Sequence, residues 1–448
     1  MNLNVYFSFV MNNKAGGKAI RASWITMLII GFSILTSQSA QAIPAYARQT
    51  GQNCLACHAG GQFPELTPYG RLFKLTAYTL GSRTIPISAI GVVSLSKSLH
   101  PDSDPAFVKD SNLIFQTGSV FLGGKISDNV GIFAQATYNN YSGDSGYQGV
   151  WGSDNFDMRY ADRYISPSND IIFGASLNNN PSVTDVWNSA PAWIIYAPTQ
   201  FGVTRPDASP VVDNLGAQVA GVNVYAMWNN LLYAELGGYK TANGVFSFLS
   251  QGTSNINQTK LSGINPYVRV ALTHEWGAHN IMVGMFGLNA HIFPDNTVQS
   301  GPTIQYRDRG VDAQYQYLLD PHTVSAQFSY VRETINNGAI TGIASNASNT
   351  LNALRIKGTY IYQAKYGTSV SYFNTTGTSD PTLYSSANAS PDTRGWTPEI
   401  FYTPLQNIRI GLQYYAYQKF DGASTNYDGN GRNAKDNNTA FLYVWGAY

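Results

Sequence analysis

The chain has 448 residues, of which 12% are charged and 13% aromatic, with 30 tyrosines. Soluble domains carry about twice that share of charge, so the composition points to a secreted all-β protein or a membrane barrel. Its 27 basic and 26 acidic residues leave neither the basic excess nor the basic stripe that nucleic acid requires, which excludes that class of partner.

Residues 1–42 carry Lys14, Lys18 and Arg21 and no acid, then the apolar run WITMLIIGFSILT, then SQSAQA with Ala40 and Ala42. A basic region, a short apolar region and an A-x-A site in that order predict a cleaved signal peptide, with the mature chain starting near Ile43. The apolar run is shorter than the ~20 residues a spanning helix needs, which argues against a retained anchor. Without the leader, 24 basic residues face 26 acidic ones, a net charge of −2. No later apolar run is long enough for a membrane helix, so insertion would be by strands.

Next comes a short segment, 43–85, that holds both cysteines of the chain, Cys54 and Cys57, with His58 directly after them. Cys-x-x-Cys-His is the spacing of a c-type haem site. The two thiols reach the two vinyl groups of one haem and the adjacent imidazole lies under the iron as proximal ligand. Three other readings are weaker. A thioredoxin-like pair needs a βαβ frame, a disulfide across so small a loop stabilises little, and a zinc site needs about four ligands. The expected cofactor is therefore one covalently attached haem c. A segment this short cannot bury a core alone, so the haem and the surrounding wall would have to complete it.

Around the motif, Arg48, Arg71 and Lys74 are candidates for haem propionates or for acidic lumen groups, and Phe63, Tyr69 and Phe73 for packing against the porphyrin. The distal ligand is open. No Met or His follows His58 until His100, which makes His100 the first candidate, ahead of Met158, His274, His279, His291 and His322. Parity sets Met158 beside Phe156, Tyr160 and Tyr164, and His274 beside Val268, Val270 and Leu272, on the apparent lipid face. His100 and His291 fall near outer strand ends, and His279 and His322 in short turns. An axial Met or His would make an electron-transfer haem, whereas an open position would bind a small molecule.

From 86 to 448 the chain reads as an outer-membrane antiparallel β-barrel. Period-2 alternation is clearest where Leu354, Ile356, Gly358, Tyr360, Tyr362 and Ala364 alternate with Arg355, Lys357, Thr359, Gln363 and Lys365, one side suited to lipid and the other to a wet lumen. Val311, Ala313, Tyr315 and Tyr317 alternate in the same way with Asp312, Gln314 and Gln316, and a turn at Asp320-Pro321-His322 leads into Val324, Ala326, Phe328 and Tyr330. Strands are expected at 88–98, 110–124, 129–141, 154–164, 170–179, 214–227, 231–241 and 263–275. Eight more follow at 279–291, 303–318, 322–334, 351–365, 367–376, 393–403, 407–419 and 438–448. That makes about sixteen, an even number as outer-membrane barrels have.

Every second link is only a few residues (ISDN, SPSN, WNN, EWGAH, LDPH, AKYG, PLQN), while the others are long and rich in Gly, Asn, Ser and Asp. Short turns face the periplasm and long loops face outward. A soluble sandwich would lack this alternation and a β-helix would show a fixed repeat. The longest link, about 180–213, could fold inward to constrict the lumen, with Asp185 as a cation contact or a solvated acid.

On ARQTGQNCLACH, Phe63-Pro64 with Leu66, Gly70 and Phe73, and NNNPSVTDVWNSAPAW at 178–193, together with the barrel pattern, the chain resembles the outer-membrane fused cytochrome-porin proteins associated with iron(II) oxidation and extracellular electron transfer. The resemblance implies a haem-bearing plug at the barrel mouth, near the outer face. Electrons would pass from an extracellular donor, Fe(II), to a soluble periplasmic cytochrome, and iron(II) oxidase activity is what the resemblance would add. Two other classes stay open: a haem-gated or redox-sensing transport porin, and a five-coordinate haem enzyme acting on a small molecule.

Overall fold

A computed structural model of the protein describes residues 44–61, 65–100, 113–139, 149–188, 208–250 and 258–448. The expected leader, Phe63-Pro64 and residues 189–193 of the resemblance lie outside these. Sixteen strands close into one antiparallel barrel. They are β1 (Ile87–Ser98), β2 (Leu113–Lys125), β3 (Val130–Asn139), β4 (Val150–Ile165), β5 (Asp170–Asn178), β6 (Val219–Trp228), β7 (Leu232–Thr241) and β8 (Asn265–Trp276). The rest are β9 (His279–Ile292), β10 (Ile304–Leu319), β11 (His322–Asn336), β12 (Ser348–Tyr362), β13 (Tyr366–Gly377), β14 (Thr393–Leu405), β15 (Ile408–Lys419) and β16 (Thr439–Ala447). The first strand seals against the last, from Ile90 opposite Ala447 to Ser98 opposite Thr439.

The number and order of strands match the periodicity, while boundaries shift by up to five residues, two of them for evident local reasons. The strand expected from 214 starts at Val219, because the chain before it makes a tight 3-10 turn at Val211–Asp213. The strand expected to reach 365 stops at Tyr362, since Gln363 and Ala364 take left-handed backbone conformations (φ 54° and 55°) and form the turn.

Side-chain alternation sorts the wall into two faces. On β8, Tyr267, Arg269, Ala271 and Thr273 are buried while Val268, Val270 and Leu272 are exposed; on the adjoining β9, Val283 and Met285 continue the exposed apolar face. At the short-turn end the outer face becomes aromatic. Trp276 stacks on His279 (5.2 Å between ring centroids) and Tyr366 on Tyr402 (5.1 Å). An apolar outer band bounded by an aromatic girdle is what a barrel in lipid presents.

The interior is filled by chain. Helices α1 (Pro44–Thr50), α2 (Cys54–Cys57) and α3 (Pro68–Leu75) form the N-terminal plug. A single helical turn, α4 (Pro181–Thr184), leads into 185–188, which also lies inside. The 3-10 turn at Val211–Asp213 docks on the opposite wall. There the N–H groups of Val211 and Val212 donate to Glu333 (2.6 Å) and Asp308 (2.8 Å), and Arg355 pairs with Asp213.

The plug is tied to the short-turn end. Arg48 donates to the carbonyl of Ile87 (2.5 Å), the N–H of Lys125 donates to Gln49 (2.9 Å), and Arg83 donates to the carbonyl of Ile126. The expectation of a plug near the outer face is therefore corrected: these three anchors are on the side of the tight turns.

Candidate functional site

One helical turn assembles the cysteine motif. Asn53 caps α2 by accepting from the N–H of Ala56 (3.2 Å), and the N–H of His58 donates to the carbonyl of Cys54 (2.8 Å). Residues three and four apart share a helix face, so Cys54, Cys57 and His58 line one side. The chain then turns back. His58 bridges to Leu66, and Thr67 caps α3, accepting from the N–H of Gly70 (3.2 Å), with Pro68 in the first turn. A Cβ on Gly70 would stand 2.2 Å from the Cys57 carbonyl oxygen, so only glycine lets α3 come this close to the motif.

Cys54, Cys57 and His58 border a cavity of about 540 Å³ between plug and wall. Apolar and aromatic groups line part of it: Tyr46 and Phe73 from the plug, and Val92, Phe121, Phe133 and Trp445 from the barrel. Tyr46, Phe73 and Tyr78 pack as a trio with centroids 4.9–5.8 Å apart. Tyr78 donates to Asp157 (2.5 Å), which also accepts from Arg159 (2.7 Å). Sequence reasoning passed over Tyr46 and Tyr78, since a plug aromatic looks the same whether it packs on chain or on a ligand.

Burial sets the protonation state of the motif. Burial pushes the His58 pKa down to about 4, against a backbone hydrogen bond to Glu65 that raises it. The ring is thus neutral at physiological pH, the form that binds a metal. Burial, and then the neighbouring Cys54, push the Cys57 thiol up to about 11, and the two cysteines are not joined as a disulfide. A thioredoxin-like pair requires a lowered thiol pKa, so that reading loses its basis.

The flanking cations divide. Arg71 is buried and donates to Glu275 (3.3 Å), Asn280 (3.1 Å) and Gln316 (3.3 Å), which are lumen groups. Arg48 binds the backbone carbonyls of the rim. Lys74 alone of the three lines the cavity; its Nζ donates to the Asp185 carbonyl (2.7 Å) and to Asn188 (3.3 Å). Burial first, then Arg159, lowers its pKa to about 8. Of the expected packing aromatics, Phe73 lines the cavity. Tyr69 instead faces a second cavity with Arg163 and Asp170, and Phe63 lies outside the described residues.

The distal candidates are not brought together. His100 stands at the outer end of β1, its side chain 72% exposed and 3.1 Å from Asp436. His279 and His322 contact Tyr315 and Tyr360 hydroxyls at 2.8 Å, and His274 lies on the outer face against Trp276. Met158 is half-buried on the outward-facing side of β4, and His291 meets Thr303 (3.4 Å). None of these borders the cavity. Asp185 is not a solvated acid: it is fully buried, 3.2 Å from the Arg269 guanidinium, which also pairs with Asp312 (2.6 Å). The inward folding of its loop is as expected over 181–188.

Fold and cavity define a class: a closed sixteen-strand antiparallel barrel with a cysteine-bearing plug in its lumen. No protein-family model and no curated relative matches the chain. Solved structures similar in fold include OmpF of Salmonella typhi in complex with daunomycin (14% identity, 81% of this chain and 97% of that one, TM-score 0.46). Others are the outer-membrane channel DcaP of Acinetobacter baumannii (14%, 81% and 96%, 0.46) and an anion-selective porin from Comamonas acidovorans (10%, 81% and 99%, 0.42).

Proposed function

We propose that this chain is a monohaem c-type cytochrome held inside an outer-membrane barrel, carrying electrons from an extracellular donor to a soluble periplasmic cytochrome. The observation that carries the reading is the convergence of Cys54, Cys57 and a neutral His58 on one cavity walled by aromatic and apolar groups. The donor set, two thiols and an imidazole, fits haem c, and the volume falls within the roughly 300–1,000 Å³ of small-ligand sites. Cys54 and Cys57 would anchor the group, His58 would ligate its iron, and Lys74 is the cation positioned for a propionate. Bound there, haem supplies reversible one-electron transfer at its iron. Phe73, Phe121 and Phe133 give the cavity apolar walls, and Arg71 and Gln49 tie the plug to the barrel. Lipid would surround the apolar band, and Fe(II) is the donor that the family resemblance implies.

A second reading is favoured by one feature: among the described residues bordering the cavity, none but His58 is a histidine or methionine. An open sixth position would suit a small-molecule haem enzyme or a redox-sensing gate. Optical and EPR spectra of the detergent-solubilised protein, oxidised and then mixed anaerobically with Fe(II), separate the two. A low-spin six-coordinate haem reduced by Fe(II) supports the conduit. A high-spin haem that ignores Fe(II) but binds a small ligand supports the second reading, and absence of covalent haem, lost in neither Cys54→Ser nor Cys57→Ser because never present, ends both.

A further inference from the structure

The cavity has a second, polar wall that the cysteine motif does not use, built by β2, β3 and β4. Thr137 donates to Asp154 (2.7 Å), Asn155 donates to Asp154 (3.1 Å) and to Gln135 (3.0 Å), and Gln135 donates to Ser119 (3.1 Å). Asp154 is the carboxylate bordering this cavity and has no ion-pair partner among the described residues. Gln116 adds a side-chain oxygen that is buried and accepts no hydrogen bond there.

Two breaks in strand register bring these groups inward. Opposite β1, Val92 pairs with Thr117 but Val93 with Phe115, leaving Gln116 as the extra residue on β2. Between β3 and β4, Ala134 pairs with Phe156 but Ala136 with Ser153, so both Asp154 and Asn155 oppose Gln135. Each is a β-bulge, a device that re-aims a side chain and is over-represented beside functional sites. Both bulges deliver an oxygen-bearing side chain to the same wall. Asp154 is half-buried in this wall, where a carboxylate without a counter-charge is unfavourable unless a cation or a proton neutralises it, and the Nζ of Lys74, the cavity's cation, donates to Asp185 and Asn188 rather than to Asp154.

We propose that this wall is a binding site for a hydrated divalent cation, with Asp154 as the charged ligand and Gln116 as a neutral oxygen ligand. Oxygen donors with one carboxylate, leaving room for retained water, match a hard divalent ion rather than a soft one. Location agrees with a donor arriving through the long-loop end. Both β2 and β4 run from that end toward the tight turns, and Gln116 and Asp154 lie only three and four residues beyond the first residues of their strands, whereas the plug is anchored at the other end. As the docking place for an electron donor the site rests on the cytochrome reading; as a cation site it does not.

The test uses the full mature chain in detergent, with Mn²⁺ alone as probe, followed by the EPR signal of the free ion. Wild type and the exposed-rim control Asp128→Asn are expected to bind one Mn²⁺ per chain, with affinity falling at least tenfold in Asp154→Asn and several-fold in Gln116→Ala. Failure of folded wild type to bind, or equal binding by wild type and Asp154→Asn, overturns the site. If Asp154→Asn does not fold, equal binding by wild type and Gln116→Ala overturns it instead. Covalent haem is measured on the same samples: its absence removes the cytochrome reading and leaves the Mn²⁺ result to stand or fall alone.

Discussion

The backbone carbonyl oxygen of Cys57 lies 2.2 Å from the point where a Cβ on Gly70 would stand. Helix α3 thus packs on the cysteine motif with no space for any side chain between them. Gly70→Ala should force the two apart at a cost of about 1–3 kcal/mol. Amide hydrogen exchange over 54–75 would read this as faster exchange in the plug with the barrel strands unchanged.

His58 sets a pH dependence of the haem-free plug. Its folded pKa, about 4, lies below the unfolded value near 6.5, so protonation favours the unfolded plug. Its docking should be strongest above pH 6.5 and weaken as pH falls toward 4, by about 3 kcal/mol in total. Pulse proteolysis between pH 7.5 and 4 should show this loss, and His58→Asn should flatten the profile.

Arg269 holds the inner loop by pairing with both Asp185 and Asp312. Arg269→Met leaves two buried carboxylates facing each other without their cation, a change worth about 3–5 kcal/mol. Release of 181–188 from the wall is the expected outcome. Higher single-channel conductance in planar bilayers would register it, while unchanged conductance would mean that this segment does not limit the lumen.

Asp380 joins two outer loops. Its carboxylate accepts from the N–H groups of Ser345 (2.9 Å), Asn346 (2.8 Å), Thr382 (3.0 Å) and Leu383 (3.1 Å) and from the Asn349 side chain (3.0 Å). Against desolvation, which raises it, these donors together hold its pKa well below the usual carboxylate range, so the contribution is present above the unfolded pKa and fades only at strongly acid pH. Asp380→Asn should speed amide exchange in 338–347 and 379–384 by tenfold or more at neutral pH, with little change in the strands.

The strand plan was legible because a barrel wall repeats one rule: alternate residues meet lipid and lumen, and turns interrupt the alternation at regular intervals. Arg355 and Lys357 against Ile356 and Tyr360 disclose the faces of β12 without any knowledge of its neighbours. Cys54, Cys57 and His58 were legible for a similar reason, since their relation is local and fits within one helical turn. Gln116 and Asp154 were not. Each sits in a bulge, which breaks the parity that sequence reading relies on, and a bulge exists only relative to the register of a neighbouring strand.

Sequence by itself therefore determined the alternating wall, the strand number and the cysteine motif, all governed by contacts between residues close along the chain. Tertiary structure alone decided that Arg71 binds Glu275 and two lumen amides while Lys74 borders the cavity, that Asp185 is buried against Arg269, and that the plug is moored at the tight-turn end. Each of these depends on which distant strands the closed barrel brings opposite a given side chain, and burial then makes Arg71 and Arg269 find their partners across the lumen rather than along the chain.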